Sequence, residues 1–146
     1  MTATRRIALG SGLHPDKLLE TIRQLESGTA LICDAPEVEH GWIHLRKDGA
    51  WLLQAGYPSL ERPTHGVAGE RGRAQLAAWE AGIYLTLVYP PDTEAETLAQ
   101  AIMHLMLTVQ GVAKPGSVRV ALEFAHGNTG SEDTRGEWGS GDPADD

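Results

Sequence analysis

Gly10-Ser11-Gly12 is the first segment whose residue types could do chemistry. Closely spaced glycines let backbone N–H groups approach a phosphate, as in dinucleotide-binding turns. Position 15 is Pro where that motif needs its third glycine, and no strand of useful length is read before it. Neither a P-loop lysine motif nor a Gly-x-Ser-x-Gly nucleophile elbow occurs. The chain has six histidines, and His40 and His44 are four apart. On a strand they flank Trp42 at ~13–14 Å, too far for one metal ion. They are read as surface histidines beside a sheet. Cys33 is the single cysteine, which excludes an internal disulfide and a multi-cysteine zinc site. Asp34 beside it would raise the thiol pKa, so Cys33 reads as a small core side chain. Glu37 and Glu39 could pair as general acid and base, but no apolar neighbours split their pKa values. A solvated acidic loop fits them better. No catalytic residue, metal ligand or cofactor-binding residue is expected.

Large side chains that could meet a partner are the other class. Trp42 alternates with Ile43 and Leu45, so either the indole or the aliphatic pair faces outward. An outward Trp42 is an interface candidate. Residues Gly56–Gly69 hold Pro58, Pro63 and three glycines, and read as a long connection of the kind that carries function. The candidate contact set is Trp42 and His44, with Tyr57, Leu60, Arg62 and His65 on that loop. Met103 and Met106 could form a groove for a partner helix, but a packed core face is the simpler reading.

These residues need elements to position them. A first helix is read from Pro15 to about Leu25, with Leu18, Leu19, Ile22 and Leu25 on one face and Gly28 as its stop. Strands follow at Thr29–Asp34, Gly41–Arg46 and Ala50–Ala55. Asp48-Gly49 marks a hairpin turn. A second helix is expected over Glu70–Glu80, with Leu76, Ala77 and Trp79 in the core. Ile83–Tyr89 alternates as a strand, stopped by Pro90-Pro91. A third helix, capped by a Thr93/Glu96 box, carries Leu98, Ala99, Ile102, Met103, Leu105, Met106 and Val109. Ser117–Ala125 alternates as a half-buried strand. The order α-β-β-β-α-β-α-β predicts an α+β domain, mainly antiparallel sheet with helices packed on one face.

The chain has 146 residues, with 12 Lys+Arg against 20 Asp+Glu and a net charge of −8. That excess argues against a phosphate-tracking surface and against docking on an anionic membrane. No apolar run reaches the ~18–20 residues of a membrane span, and no signal-peptide core is read. A cytoplasmic protein is expected. Residues 127–146 carry six acids against Arg135, a net of −5, with five glycines and Trp138 as the one large apolar residue. They read as a disordered tail on a single domain of residues 5–125. The tail could keep the chain soluble or steer a basic partner.

The middle of the chain resembles the PATAN domain family, small signalling modules often fused to receiver domains. Five pieces carry the resemblance. They are Leu18-Leu19-Glu20-Thr21-Ile22, Ser27-Gly28-Thr29-Ala30-Leu31 and Gly41-Trp42-Ile43-His44-Leu45. The others are Asp48-Gly49 through Ala55, and Gly69-Glu70 leading to Trp79-Glu80-Ala81-Gly82-Ile83-Tyr84. The match spans roughly residues 13–90 and lacks a receiver domain. It implies a non-enzymatic adaptor in bacterial signal transduction, whose partner is another protein of a signalling or motility pathway. A homodimer, a small-molecule or nucleotide sensor and a dimeric secretion-type chaperone stay open as alternatives.

Overall fold

A computed structural model describes residues 3–63 and 74–127. Seven strands form one antiparallel sheet. They are β1 (Ala3–Ser11), β2 (Thr29–Asp34), β3 (Trp42–Asp48), β4 (Ala50–Gly56), β5 (Gln75–Glu80), β6 (Tyr84–Tyr89) and β7 (Arg119–Gly127). Their spatial order is β1-β7-β2-β3-β4-β6-β5. Two helices interrupt them, α1 (Pro15–Arg23) after β1 and α2 (Ala95–His104) after β6.

This corrects the expected α+β order with helices packed on one face. The described chain is mostly antiparallel sheet with only two short helices. Two errors produce the difference. A nine-residue strand, β1, stands where no element was read. Gln75–Glu80, expected as the end of a helix, is strand β5 paired to β6. Ala, Gln and Glu favour helix, but intrinsic propensity is a weak prior and pairing along β6 overrides it. Residues 70–73 of the expected helix, and residues 128–146 of the expected tail, lie outside the described residues.

The strand alternation decides which side chains enter the core. One cross-strand row runs Ile7, Leu122, Leu31, Leu45, Leu53, Leu87 and Leu76 across all seven strands. Leu18 and Ile22 of α1, with Leu98 and Ile102 of α2, join the middle of that row in one cluster. The opposite face carries a row of Ala8, Ala121, Ile32, His44, Gln54, Thr86 and Ala78. Register is therefore fixed, since a one-residue slip would turn the leucine row outward.

Local signals account for the ends of elements. Asp48-Gly49 makes the β3–β4 hairpin, with Gly49 at φ +74°. The capping box does not form. Thr93 Oγ1 instead donates to the carbonyl of Pro90 at 2.7 Å, and Glu94 takes the cap position with no side-chain bond. Beyond His104 the helix loosens into a π turn, Leu105–Val109. Gln110 follows, buried, and its Nε2 donates to the carbonyls of Trp42 and Gly56, each at 2.9 Å. One side chain thus ties the end of α2 to β3 and β4.

Candidate functional site

The residues singled out in the sequence divide between two places. Trp42 and His44 lie on the face opposite the leucine row, half-buried, with ring centroids 5.3 Å apart at 63°. Ile43 and Leu45 take the core side. Burial lowers the His44 pKa, helped by Arg6 and Arg46, with Glu123 and Asp34 opposing. Tyr57 is buried, and its hydroxyl donates to the carbonyl of Glu61 at 2.8 Å. Leu60 is 82% exposed and folds toward Gly82, and Arg62 lies 5.9 Å over the Trp79 ring. Tyr57, Leu60 and Arg62 are brought together with Trp79 and Ile83 at one end of the sheet, through Tyr57 N to Ile83 O and Gly82 N to Ser59 O. Trp42 borders this end beside Gly56, while His44 stands one row inward. His65 lies outside the described residues.

A second place was not foreseen. Ile7 and Leu9 on the edge strand β1 are 41% and 46% exposed, although they point to the core side. Beside them Val120, Leu122 and Phe124 of β7 are half-buried. α1 closes the other wall, leaving a groove with two chambers. One, of about 470 Å³, is walled by Leu9, Gly10–Leu13 and Leu18, with Lys17 and Thr21 on its rim. The other, of about 300 Å³, is walled by Leu9, Leu25, Leu122 and Phe124, with Gln24 and Glu26 above. Leu9 and Thr21 line both, so the two recesses are neighbours.

Backbone bonds hold the upper chamber open. Gly12 N donates to Val118 O at 2.7 Å, and Leu13 N to Pro115 O at 2.9 Å. Gly12 stands at φ +107°, and a Cβ there would collide with the His14 imidazole. The strand and the glycines around Ser11 do precede a helix, against expectation. Yet β1 lies antiparallel to its neighbour and Pro15 opens the helix, so the βαβ context of a dinucleotide turn is missing. The signal that could have found the groove is Ile7-Ala8-Leu9, a short alternation on a strand that the eye passes over.

The remaining chemistry candidates fall as follows. Cys33 is fully buried, and burial, with Asp34, pushes its thiol up to about 12. Glu37 accepts a 2.8 Å bond from Ser117 Oγ, which lowers its pKa. Met106 is buried and Met103 half-buried. No group of three His, Cys, Asp or Glu that could hold a metal occurs among the described residues. No described helix is long and apolar enough to cross a membrane. Comparison with protein families, curated proteins and solved structures yields no match.

Proposed function

We propose that this chain is a non-enzymatic protein-interaction domain that receives its partner in the groove between α1 and strands β1 and β7. The observation that carries the reading is the exposure of Ile7 and Leu9 on β1, which pairs on one side only among the described residues, beside two neighbouring recesses. Exposed aliphatic residues grouped along a groove cost solubility and are retained where something covers them. The edge offers backbone donors and acceptors to an extended segment, while the chambers take its side chains. Placement in a bacterial signalling or motility pathway is supported by the PATAN resemblance alone.

The test is a selection of random peptides on the immobilised full chain. Binding of the selected peptides is then compared across Leu9→Asp and Leu60→Asp. Loss of binding in L9D, with L60D unchanged, is the expected result. Peptides that depend on Leu60 and ignore Leu9 would move the partner surface to the loop end of the sheet. Binders indifferent to both would overturn the reading.

A further inference from the structure

We propose that the groove also receives a segment of this same chain, the stretch beyond Gly127, with the Trp138 indole as the inserted group. The proposal rests on the reading of the groove as the partner site and adds how that site is regulated.

Three observations lead to it. First, the groove presents apolar side chains that no described residue covers. Its lower chamber of about 300 Å³ is walled by Leu9, Leu25, Leu122 and Phe124. An aromatic side chain buries roughly 150–250 Å² and is the natural filler of such a recess. Second, the segment leaves the fold at the border of the groove. Gly127 is the last residue of β7 and pairs with Ala3 of β1. Phe124 stands three residues before it, so the chambers lie ~10–23 Å from Gly127 along β7. Third, Trp138 is the single large apolar residue of 128–146, and it follows Gly127 by eleven residues. Eleven residues of random coil have a root-mean-square reach of ~18 Å. Effective concentration is greatest when the reach of a tether matches the span it must cover.

A second copy of the chain is the weaker occupant. Between its two register shifts β1 pairs regularly only over Thr4–Ala8. Five residues are a small part of the roughly 20–30 per side that a stable interface uses. A tethered indole needs no such area. Charge opposes this occupant, the tethered segment, because the groove lining holds Lys17 against Asp16, Glu20 and Glu26, and burial of the indole has to outweigh that repulsion.

Docking of Trp138 makes the segment a competitor of the partner. If the indole fills the groove nine-tenths of the time, a peptide finds one molecule in ten competent, and its apparent affinity drops about tenfold. Removing the indole restores it.

Nuclear magnetic resonance on the full chain tests this directly. Trp138→Ala is expected to shift the backbone amides of Leu9, Thr21, Leu122 and Phe124. Reciprocally, in chain labelled with 5-fluorotryptophan, Leu9→Asp is expected to move the Trp138 resonance, which W138A identifies by its loss. Groove-selected peptides should bind W138A about tenfold tighter than the parent chain. Groove amides unmoved by W138A, together with a Trp138 resonance unmoved by L9D, would overturn the proposal. If peptides still select for Leu9 in that case, the interaction reading stands alone. Tail shifts without any Leu9-dependent peptide would leave the docking standing and remove the interaction reading. Shifts that grow with protein concentration would assign the groove to a second copy and overturn the tail as occupant.

Discussion

The middle of the leucine row and its β1 end are built from the same kinds of residue and fare differently. Leu31, Leu45 and Leu53 are 0% exposed, whereas Ile7, in the same cross-strand row, is 41% exposed. Pairing differs too, since among the described residues β1 bonds β7 on one side only and the central strands are paired on both. What differs most is membership of the core. Leu18, Ile22, Leu98 and Ile102 share one buried cluster with Leu31, Leu45 and Leu53, and Ile7 lies outside it. Hydrophobic burial follows area removed from water, so the central leucines stabilise the fold and Ile7 and Leu9 contribute little to it. The comparison separates residues kept for stability from residues available to a partner.

Substitutions can sharpen that contrast. Leu53→Ala should cost about 2–5 kcal/mol in urea denaturation, as a cavity in a packed core does. Leu9→Ala should stay within about 0.5 kcal/mol of the parent. A cost for L9A equal to that for L53A would break the distinction. Gln110→Ala should follow at about 2–4 kcal/mol, because two carbonyls, of Trp42 and Gly56, lose their donor. The same denaturation curves check it, and Gln110→Asn should not rescue it, its amide being one carbon shorter.

A smaller effect is expected at His44 on the opposite face. Burial holds its pKa below the ordinary 6.5, so the unfolded chain takes up the proton first. Its contribution to stability is whole above pH 6.5 and is lost as pH falls toward the folded value. Melting temperatures at pH 7.5 and pH 5 should therefore converge in His44→Gln relative to the parent. An unchanged difference would place the acid sensitivity elsewhere. The smallest effect belongs to Arg23→Ala. Its 2.9 Å ion pair with Glu96 joins α1 to α2, but both side chains are about half exposed. A loss of about 0–1 kcal/mol that fades with salt is expected.

Much of the central layer was legible in the sequence. Pro15 with Leu18, Ile22 and Leu25 announces α1, and Asp48-Gly49 announces the β3–β4 hairpin. Ser117–Ala125 overlaps β7, with Val118 buried and Arg119 exposed as alternation requires. The β5 strand was not legible, because Gln75-Leu76-Ala77-Ala78-Trp79-Glu80 carries helix-favouring residues whose state is set by β6. The β1 strand was missed for a different reason. Its partner stands more than a hundred residues away, and local pattern holds no record of such a pairing. The groove shares that obstacle, being assembled from residues 9–29 and 120–124. Of the contact set, Tyr57, Leu60 and Arg62 were legible as neighbours because they occupy one loop. Their union with Trp79 and Ile83 was not.

The two register shifts in β1, with a third between Leu76 and Ala78 in β5, have a consequence for molecules in a crowd. A sheet whose two margins carry no further strand among the described residues could extend as an open-ended ribbon, the β5 margin of one copy meeting the β1 margin of the next without ever closing. Each break in register spoils the regular ladder that such a ribbon would have to repeat at every junction. Such irregular joints disfavour growth. The same margins can still hold a short visiting strand.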